Sequence, residues 1–136
     1  MGSIVQVDIS PGGLPKTAIE LGHVTALGIE GDLHNHPQFH GGPRKAILII
    51  ASEVVDELAR RGYPVFYGAL GENLTTRGFD VRGVRIGDTI RAGGAVLEVT
   101  AARVPCSQGS RVARCCTATP TRARCSRRAS SRLASR

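Results

Sequence analysis

The sequence predicts a mainly β fold: a small β-barrel with one or two short helices and a disordered C-terminal tail. Three observations lead to it: short alternating apolar stretches, glycines that separate them (17 in 136 residues), and one stretch with helical apolar spacing. A chain of this length forms about one domain. Because aromatic residues make up 4% of it and hydrophobic residues 41%, the core must be mostly aliphatic.

The longest predicted strand lies in the stretch 95–106, AVLEVTAARVPC. Its first part alternates, with Ala95, Leu97, Val99 and Ala101 on one side of an extended chain. Pro105 cannot continue a central ladder, so the strand must stop or bulge there. The strand therefore delivers Cys106 to its end, where a thiol can meet a substrate while its support stays rigid.

Six further strands are predicted from short apolar or alternating runs, at residues 4–9, 18–21, 23–27, 46–51, 81–84 and 89–91. The run 46–51 is continuously apolar, which indicates a strand buried on both faces. Residues 63–76 are predicted to form a loop.

One helix of about ten residues is predicted after the buried strand at 46–51. Ser52 is the expected N-cap. An apolar stripe at helical spacing follows, at Val54, Val55, Leu58 and Ala59. Gly62 suits the C′ position that ends a helix.

The chain changes in charge after residue 108. Residues 1–108 hold 10 Lys+Arg and 11 Asp+Glu, a net charge of −1, whereas residues 109–136 hold 8 Arg and no acid, a net charge of +8. The tail consists mainly of Arg, Ser, Ala, Thr and Cys, which bury too little apolar surface to offset the entropy of ordering. We therefore predict a domain over 1–108 and a disordered tail over 109–136. We also hypothesise that the tail is a frameshift product, which resequencing of the locus tests.

The sequence carries no apolar run of the roughly 18 residues that span a membrane, and its first residues lack the pattern of a secretory signal. Of the four cysteines, Cys106 alone lies before residue 109, and the tail holds Cys115, Cys116 and Cys125. We expect a cytoplasmic protein with free thiols.

Cys106 is the first candidate for chemistry. Arg103, three residues earlier, brings a cation near the thiol by sequence, and a nearby cation favours the reactive thiolate. The alternative is a buried, inert cysteine.

The stretch 34–45 holds two further candidates. His34, His36 and His40 could supply metal ligands, but their spacing matches no zinc pattern, and the alternative is a polar loop whose histidines bind backbone groups. HGGPRK at 40–45 joins two glycines, which admit close backbone approach, to two cations that suit an anion such as phosphate. Its alternative is a tight turn, and it lacks the spacing of a nucleotide P-loop.

Two weaker candidates remain. GENLTTRG at 71–78 offers a polar rim that includes Asn73 and Thr75, or an ordinary turn. The arginine-rich tail could bind nucleic acid through phosphates. It lacks aromatic residues for base stacking, so nucleic-acid binding stays an alternative.

Taken in order, these motifs resemble the MOSC family, named for the C-terminal domain of molybdenum cofactor sulfurase. The matching pieces are GLPK at 13–16, GD at 31–32, HGGP at 40–43, GENLT at 71–75, IGD at 86–88, and LEV at 97–99 leading to RVPC at 103–106. The resemblance spans residues 4–108. It implies a barrel like that of pyruvate kinase and a protein that handles the molybdenum cofactor, a pterin with a dithiolene and a phosphate.

The resemblance also implies a site. The family's cysteine aligns with Cys106, as the catalytic residue and as a molybdenum ligand or persulfide carrier. The implied cofactor-binding residues are His40, Gly41, Gly42, Arg44, Lys45, Asn73, Thr75 and Arg103. The implied function is sulfur transfer to a metal centre or reduction of N-hydroxylated compounds, with a redox or sulfur-donor protein as partner.

One departure from the family pattern has consequences for this expectation. MOSC domains usually continue after the Pro-Cys pair with closing strands, and nothing like them follows Gln108. We therefore expect the last strands of the barrel to be missing. The alternative function is then a non-catalytic β-domain remnant that binds no cofactor.

Overall fold

The computed structural model describes residues 2–12, 15–25, 27–33, 46–81, 83–103, 113–118, 123–126 and 132–135. Within them the chain forms eleven strands and one helix. The elements are β1 (Gly2–Ile9), β2 (Thr17–Ile19), β3 (Leu21–Thr25), β4 (Gly28–Ile29), β5 (Ile47–Ala51), α1 (Ser52–Arg60), β6 (Leu74–Arg77), β7 (Thr89–Ala92), β8 (Ala95–Arg103), β9 (Ala113–Ala118), β10 (Ala123–Ser126) and β11 (Arg132–Ser135).

The strands form two sheets. Eight lie in the order β11-β7-β8-β9-β5-β6-β1-β2, and three lie in the order β10-β3-β4. The pairing of β5 with β6 is parallel, and α1 lies in the connection between them, as a parallel crossover requires. Two further residue pairs join β11 to β1. The mainly β class with one short helix is thus confirmed, and the small β-barrel stays a prediction.

The core is aliphatic, as the composition predicts. Its largest cluster contains the fully buried Ile47, Ile49, Leu74 and Leu97. A second cluster covers the other face of β5, where Ile50 packs with Val55 of α1. The predicted burial of this strand on both faces is therefore confirmed.

The helix begins one residue earlier than predicted. Ala51 is the N-cap, in an extended conformation, and Ser52 is already the first helical residue, with no side-chain capping bond. The hydroxyl of Ser52 instead donates to Glu53 Oε1 at 3.2 Å. At the other end the prediction is confirmed: Gly62 has φ +92°, and its N–H donates to the carbonyl of Ala59 at 3.1 Å.

Two segments between 63 and 84 differ from the prediction. β6 (Leu74–Arg77) lies partly in the predicted loop, because its LTTR sequence lacks the alternation that marks a strand and forms one by pairing with β5 and β1. Residues 81–84 are not a strand where they are described. Val81 and Val84 are buried there, but the N–H of Val84 bonds the carbonyl of Val81 at 3.4 Å, as in a turn.

The structure departs most from the prediction after residue 108. It places three strands in the segment expected to be disordered, and β9 pairs with both β8 and β5 in the middle of the larger sheet. Side-chain burial alone does not decide whether such a segment forms strands, because neighbouring strands satisfy the backbone N–H and C=O groups of any residue type. The expectation that no strand follows Gln108 is therefore corrected, and the domain boundary at 108 stays a prediction.

Within the described parts of the chain, no helix has the length and hydropathy that a membrane crossing requires.

Candidate functional site

The structure describes the side chains of two predicted site residues, Asn73 and Thr75. Cys106 and the loop residues His40, Gly41, Gly42, Arg44 and Lys45 lie outside the described residues. Arg103 is the last residue of β8, where its backbone is paired with Ala113. The predicted meeting of Cys106 with the 40–45 loop therefore stays a prediction.

Asn73 is almost fully buried and uses its amide to join three parts of the chain. Its Oδ1 accepts the N–H of Leu48 at 3.0 Å. Its Nδ2 donates to the carbonyl of Asp8 at 3.2 Å and to Asp32 Oδ2 at 2.8 Å. Both amide hydrogens are thus committed inside the protein, which gives Asn73 a positioning role.

Thr75 lies on the face of the sheet that α1 covers. It pairs with Ile50 of β5, and cross-strand partners share a face, so it lies on the side where Ile50 packs with Val55. Its side chain is fully buried, and Oγ1 has no hydrogen-bond partner among the described residues.

Replacing Thr75 with valine tests the role of this hydroxyl. Because a buried hydroxyl without a partner is unfavourable, we expect Thr75→Val to raise the free energy of unfolding by about 1 kcal/mol, measured by urea denaturation. A loss of stability would show that the hydroxyl has a partner. If Thr75 also binds the cofactor, the same variant loses cofactor content while gaining stability.

Asp32 is the centre of a buried polar cluster, which we define as Asp8, Lys16, Asp32, Glu72 and Asn73. Lys16 Nζ lies 2.7 and 2.6 Å from the two carboxylate oxygens of Asp32, and the two side chains are 7% and 1% exposed. The N–H of Ser10 also donates to Asp32 Oδ1, at 3.0 Å. With the bond from Asn73, the Asp32 carboxylate accepts from three residues, which lie in two regions of the chain that are distant from it in sequence.

Asp8 and Glu72 are the other two carboxyls of the polar cluster, and both are fully buried. Burial raises the pKa of Asp8 to about 6, against the opposing effects of its bond from Gln6 Nε2 and of the nearby Lys16 ammonium. Burial also raises the pKa of Glu72, against bonds from backbone N–H groups that include Gly68, and the charge of Asp8 adds to the rise. One oxygen of each carboxyl, Asp8 Oδ2 and Glu72 Oε2, has no partner among the described residues.

Gly68 holds the loop of residues 66–72 against the polar cluster. Its carbonyl accepts the N–H of Lys16 at 3.0 Å, and its φ is +98°. A Cβ at this position would overlap the carbonyl oxygen of Lys16 and lie 3.3 Å from Asp8 Cγ. Only glycine combines this backbone conformation with so close an approach.

The sequence did not indicate that the members of the polar cluster lie together. Lys16 and Asp32 stand in the motifs GLPK and GD but gave no chemical signal of their own, and Asp8 is one polar residue of an alternating strand. Asn73 was identified, although as a ligand residue. Within the described residues, no group of three His, Cys, Asp or Glu side chains could hold a metal ion. What the cluster does show is charge pairing, between the Lys16 ammonium and the Asp32 carboxylate.

Comparison with known proteins gives a family and a fold. The model of the family described as MOSC domain matches residues 36–133, a range that includes β9 and β10. Protein YiiM of Escherichia coli strain K12 is 35% identical over 91 residues, which cover 61% of this chain and 39% of that protein. The uncharacterized protein YflK of Bacillus subtilis strain 168 is 39% identical over 80 residues, which cover 57% and 35%. The matches thus span under two fifths of the length of these curated relatives.

Solved structures agree on the fold. The YuaD protein of Bacillus subtilis superposes with a TM-score of 0.75 at 18% identity, over 93% of this chain and 91% of that one. YiiM of Geobacillus stearothermophilus superposes with a TM-score of 0.73 at 22% identity, over 100% of this chain and 75% of that one. At this identity the likeness concerns the fold alone.

Proposed function

The chain belongs to the MOSC domain family, and we propose that it handles the molybdenum cofactor through Cys106. The family match carries this proposal, because it runs from residue 36 to 133 and so includes Cys106, the 40–45 loop, Asn73 and Thr75. Its continuation to 133 also removes the reason for the alternative of a remnant without closing strands.

The placement of β8 supports the role of Cys106. This nine-residue strand pairs with β7 on one side and β9 on the other, and it ends at Arg103, three residues before the cysteine. A strand held on both sides is a rigid support for a reactive group that follows it. A thiolate there suits either role, since soft sulfur ligates such metals and an exposed thiolate accepts sulfane sulfur.

The residues of the chain fit the cofactor by their chemistry. When bound, the molybdenum cofactor supplies a metal centre that already carries dithiolene sulfur, so the protein needs to add few ligands. Cys106 would ligate the metal or carry sulfur, and the glycines and cations of 40–45 with Arg103 would hold the phosphate. Asn73 would act indirectly, by holding β5 and β1 in place, because its amide hydrogens are committed to Asp8 and Asp32.

Two activities are compatible with this assignment. In sulfur transfer, the Cys106 thiolate would take a sulfane sulfur from a donor persulfide, and the donor would leave as its thiolate. A thiol reductant would then supply two electrons, so that the outer sulfur leaves as sulfide for a metal centre and Cys106 returns to its thiolate. In reduction of N-hydroxylated compounds, a redox partner protein supplies the two electrons. Both activities need the thiol of Cys106 to be reachable.

Replacing Cys106 with alanine tests the proposal. From a host that makes the cofactor, we expect wild-type protein to be purified with molybdenum and pterin or with cyanide-releasable sulfane sulfur. Cys106→Ala should lower that content about tenfold or more. The unfolding midpoints of cofactor-free preparations of the two proteins should agree, because bound cofactor would itself raise the midpoint of the wild type.

Cys125→Ala is the matched control, because Cys125 lies on β10 of the smaller sheet. It should keep the wild-type content. Equal content in the Cys106 variant and wild type would exclude both roles of the thiol. Wild-type protein with neither molybdenum nor sulfane sulfur would refute the proposed function.

A further inference from the structure

The polar cluster holds more acid than base. Three of its members are carboxyls, at Asp8, Asp32 and Glu72, and each is at most 1% exposed. Its one ammonium, that of Lys16, contacts both oxygens of Asp32. Asp32 therefore has a dedicated counter-ion, and neither Asp8 nor Glu72 has one within the cluster.

The carboxyls of Asp8 and Glu72 both lie at the loop of residues 66–72, and Glu72 is the last residue of that loop. Asp8 Cγ is 3.3 Å from the position of a Cβ on Gly68, and the carboxyl of Glu72 accepts backbone N–H groups that include that of Leu70, at 3.2 Å. Each carboxyl leaves one buried oxygen without a described partner. An ionised carboxylate that lacks partners is strongly disfavoured in a buried site, whereas the protonated acid is tolerated.

We propose that Asp8 and Glu72 form a pH-sensitive switch, which holds the 66–72 loop closed while a proton is bound and loosens it when both carboxyls ionise. Among the described residues, two hydrogen bonds join backbone carbonyls of the loop to Lys16 and Gln6, and loosening would break both. Lys16 N–H donates to the Gly68 carbonyl at 3.0 Å, and Gln6 Nε2 donates to the Tyr67 carbonyl at 3.2 Å. The switch requires neither the cofactor nor Cys106.

The other charged groups around the loop are each bonded to a group other than Asp8 Oδ2 or Glu72 Oε2. From β1, Gln6 Nε2 donates to Asp8 Oδ1 at 2.7 Å, and from the 15–16 segment Lys16 is held by Asp32. From α1, Asp56 accepts the hydroxyl of Tyr67 at 3.0 Å, and Glu53 accepts the N–H of Gly78 at 2.9 Å. From β6, Arg77 Nη2 donates to the same Tyr67 hydroxyl at 3.2 Å. The Lys16 charge only partly offsets the burial of Asp8.

The direction of the pH effect follows from which state binds the proton more tightly. Burial raises the pKa of Asp8 in the closed loop to about 6, while the open loop returns it toward the ordinary value of 3.8. Between these values the closed state holds more protons than the open state, so closure is favoured at low pH and is lost as pH rises. Above the upper value Asp8 is ionised in both states, and its contribution to the pH dependence ends.

Amide hydrogen exchange on the full chain tests the switch. After correction for intrinsic exchange, we expect protection of the Lys16 amide to fall about tenfold from pH 5 to pH 6 and to level off once both acids are ionised. Asp8→Asn and Glu72→Gln should each reduce this slope, and the double variant should abolish it. Carbon-13 NMR titration of the two carboxyl carbons reads the same protons in wild-type protein without any substitution.

Glu20→Gln is the control, because Glu20 is an exposed acid outside the cluster. It should keep the full wild-type slope. Protection that is independent of pH in wild-type protein, or a slope that survives in the double variant, would overturn the proposal. A carbon titration that shows both acids ionised at pH 5 would do the same.

Discussion

Gly68→Ala is expected to lower the free energy of unfolding by about 3 kcal/mol, which sums a strained backbone and an overpacked contact. The backbone of Gly68 has φ +98°, which alanine adopts only with strain. The added methyl group would also overlap the carbonyl oxygen of Lys16. That carbonyl cannot simply move away, because Lys16 is anchored on both sides: its N–H bonds Gly68 and its ammonium bonds Asp32. Urea denaturation with an unchanged m-value measures the loss.

Gly87→Ala separates the two contributions. Gly87 has nearly the same backbone conformation, with φ +95°, but no heavy atom lies within 4 Å of the position of its Cβ. It should therefore lose only the backbone contribution, about 1 kcal/mol. Similar losses in the two variants would mean that the contact with Lys16 has no energetic weight and that the loop adjusts freely.

The sequence predicts this fold best where a strand carries its own signal. The first part of β8 alternates, and the strand was placed correctly from its first residue; the continuous apolar run of β5 indicated burial on both faces. β6 carries no such signal, because Leu74–Arg77 holds two threonines and an arginine and becomes a strand only between β5 and β1. The strands of the C-terminal segment were missed for the same reason, since their pairing is a property of their neighbours.

The site was harder to predict than the fold because its members are far apart in the chain. Asp32 and Asn73 are 41 residues apart. Backbone bonds bring both to the end of β1: Leu33 N–H donates to the carbonyl of Ser10 at 2.8 Å, and Asp8 N–H donates to the carbonyl of Asn73 at 2.8 Å. The GENLT motif identified Asn73 as important, but could not indicate that its amide faces inward. A rim residue and a buried positioning residue have the same sequence pattern, and only the register distinguishes them.

Asp32→Asn should lower the free energy of unfolding by about 3 kcal/mol or more, because it leaves the buried Lys16 ammonium without its counter-ion. Asparagine has nearly the same shape, so the loss concerns charge and hydrogen bonding. The carboxylate accepts from Lys16 Nζ, Ser10 N and Asn73 Nδ2. An amide can replace only one of its two acceptor oxygens, and its NH₂ group would then face a donor. Thermal and urea unfolding measure the effect.

A double-mutant cycle decides whether the pair acts as a unit. Lys16→Met alone should also destabilise, but the double variant Lys16→Met, Asp32→Asn should lose about 1–3 kcal/mol less than the sum, since neither charge is then left unpaired. Arg61→Ala is the control for an exposed pair: Arg61 and Glu57 are 66% and 46% exposed, so its cost should be small beside that of either buried variant. Additive losses at Lys16 and Asp32 would mean that water reaches the pair. In that case the charge imbalance attributed to Asp8 and Glu72 would be screened as well, and the pH dependence of the 66–72 loop should vanish with it.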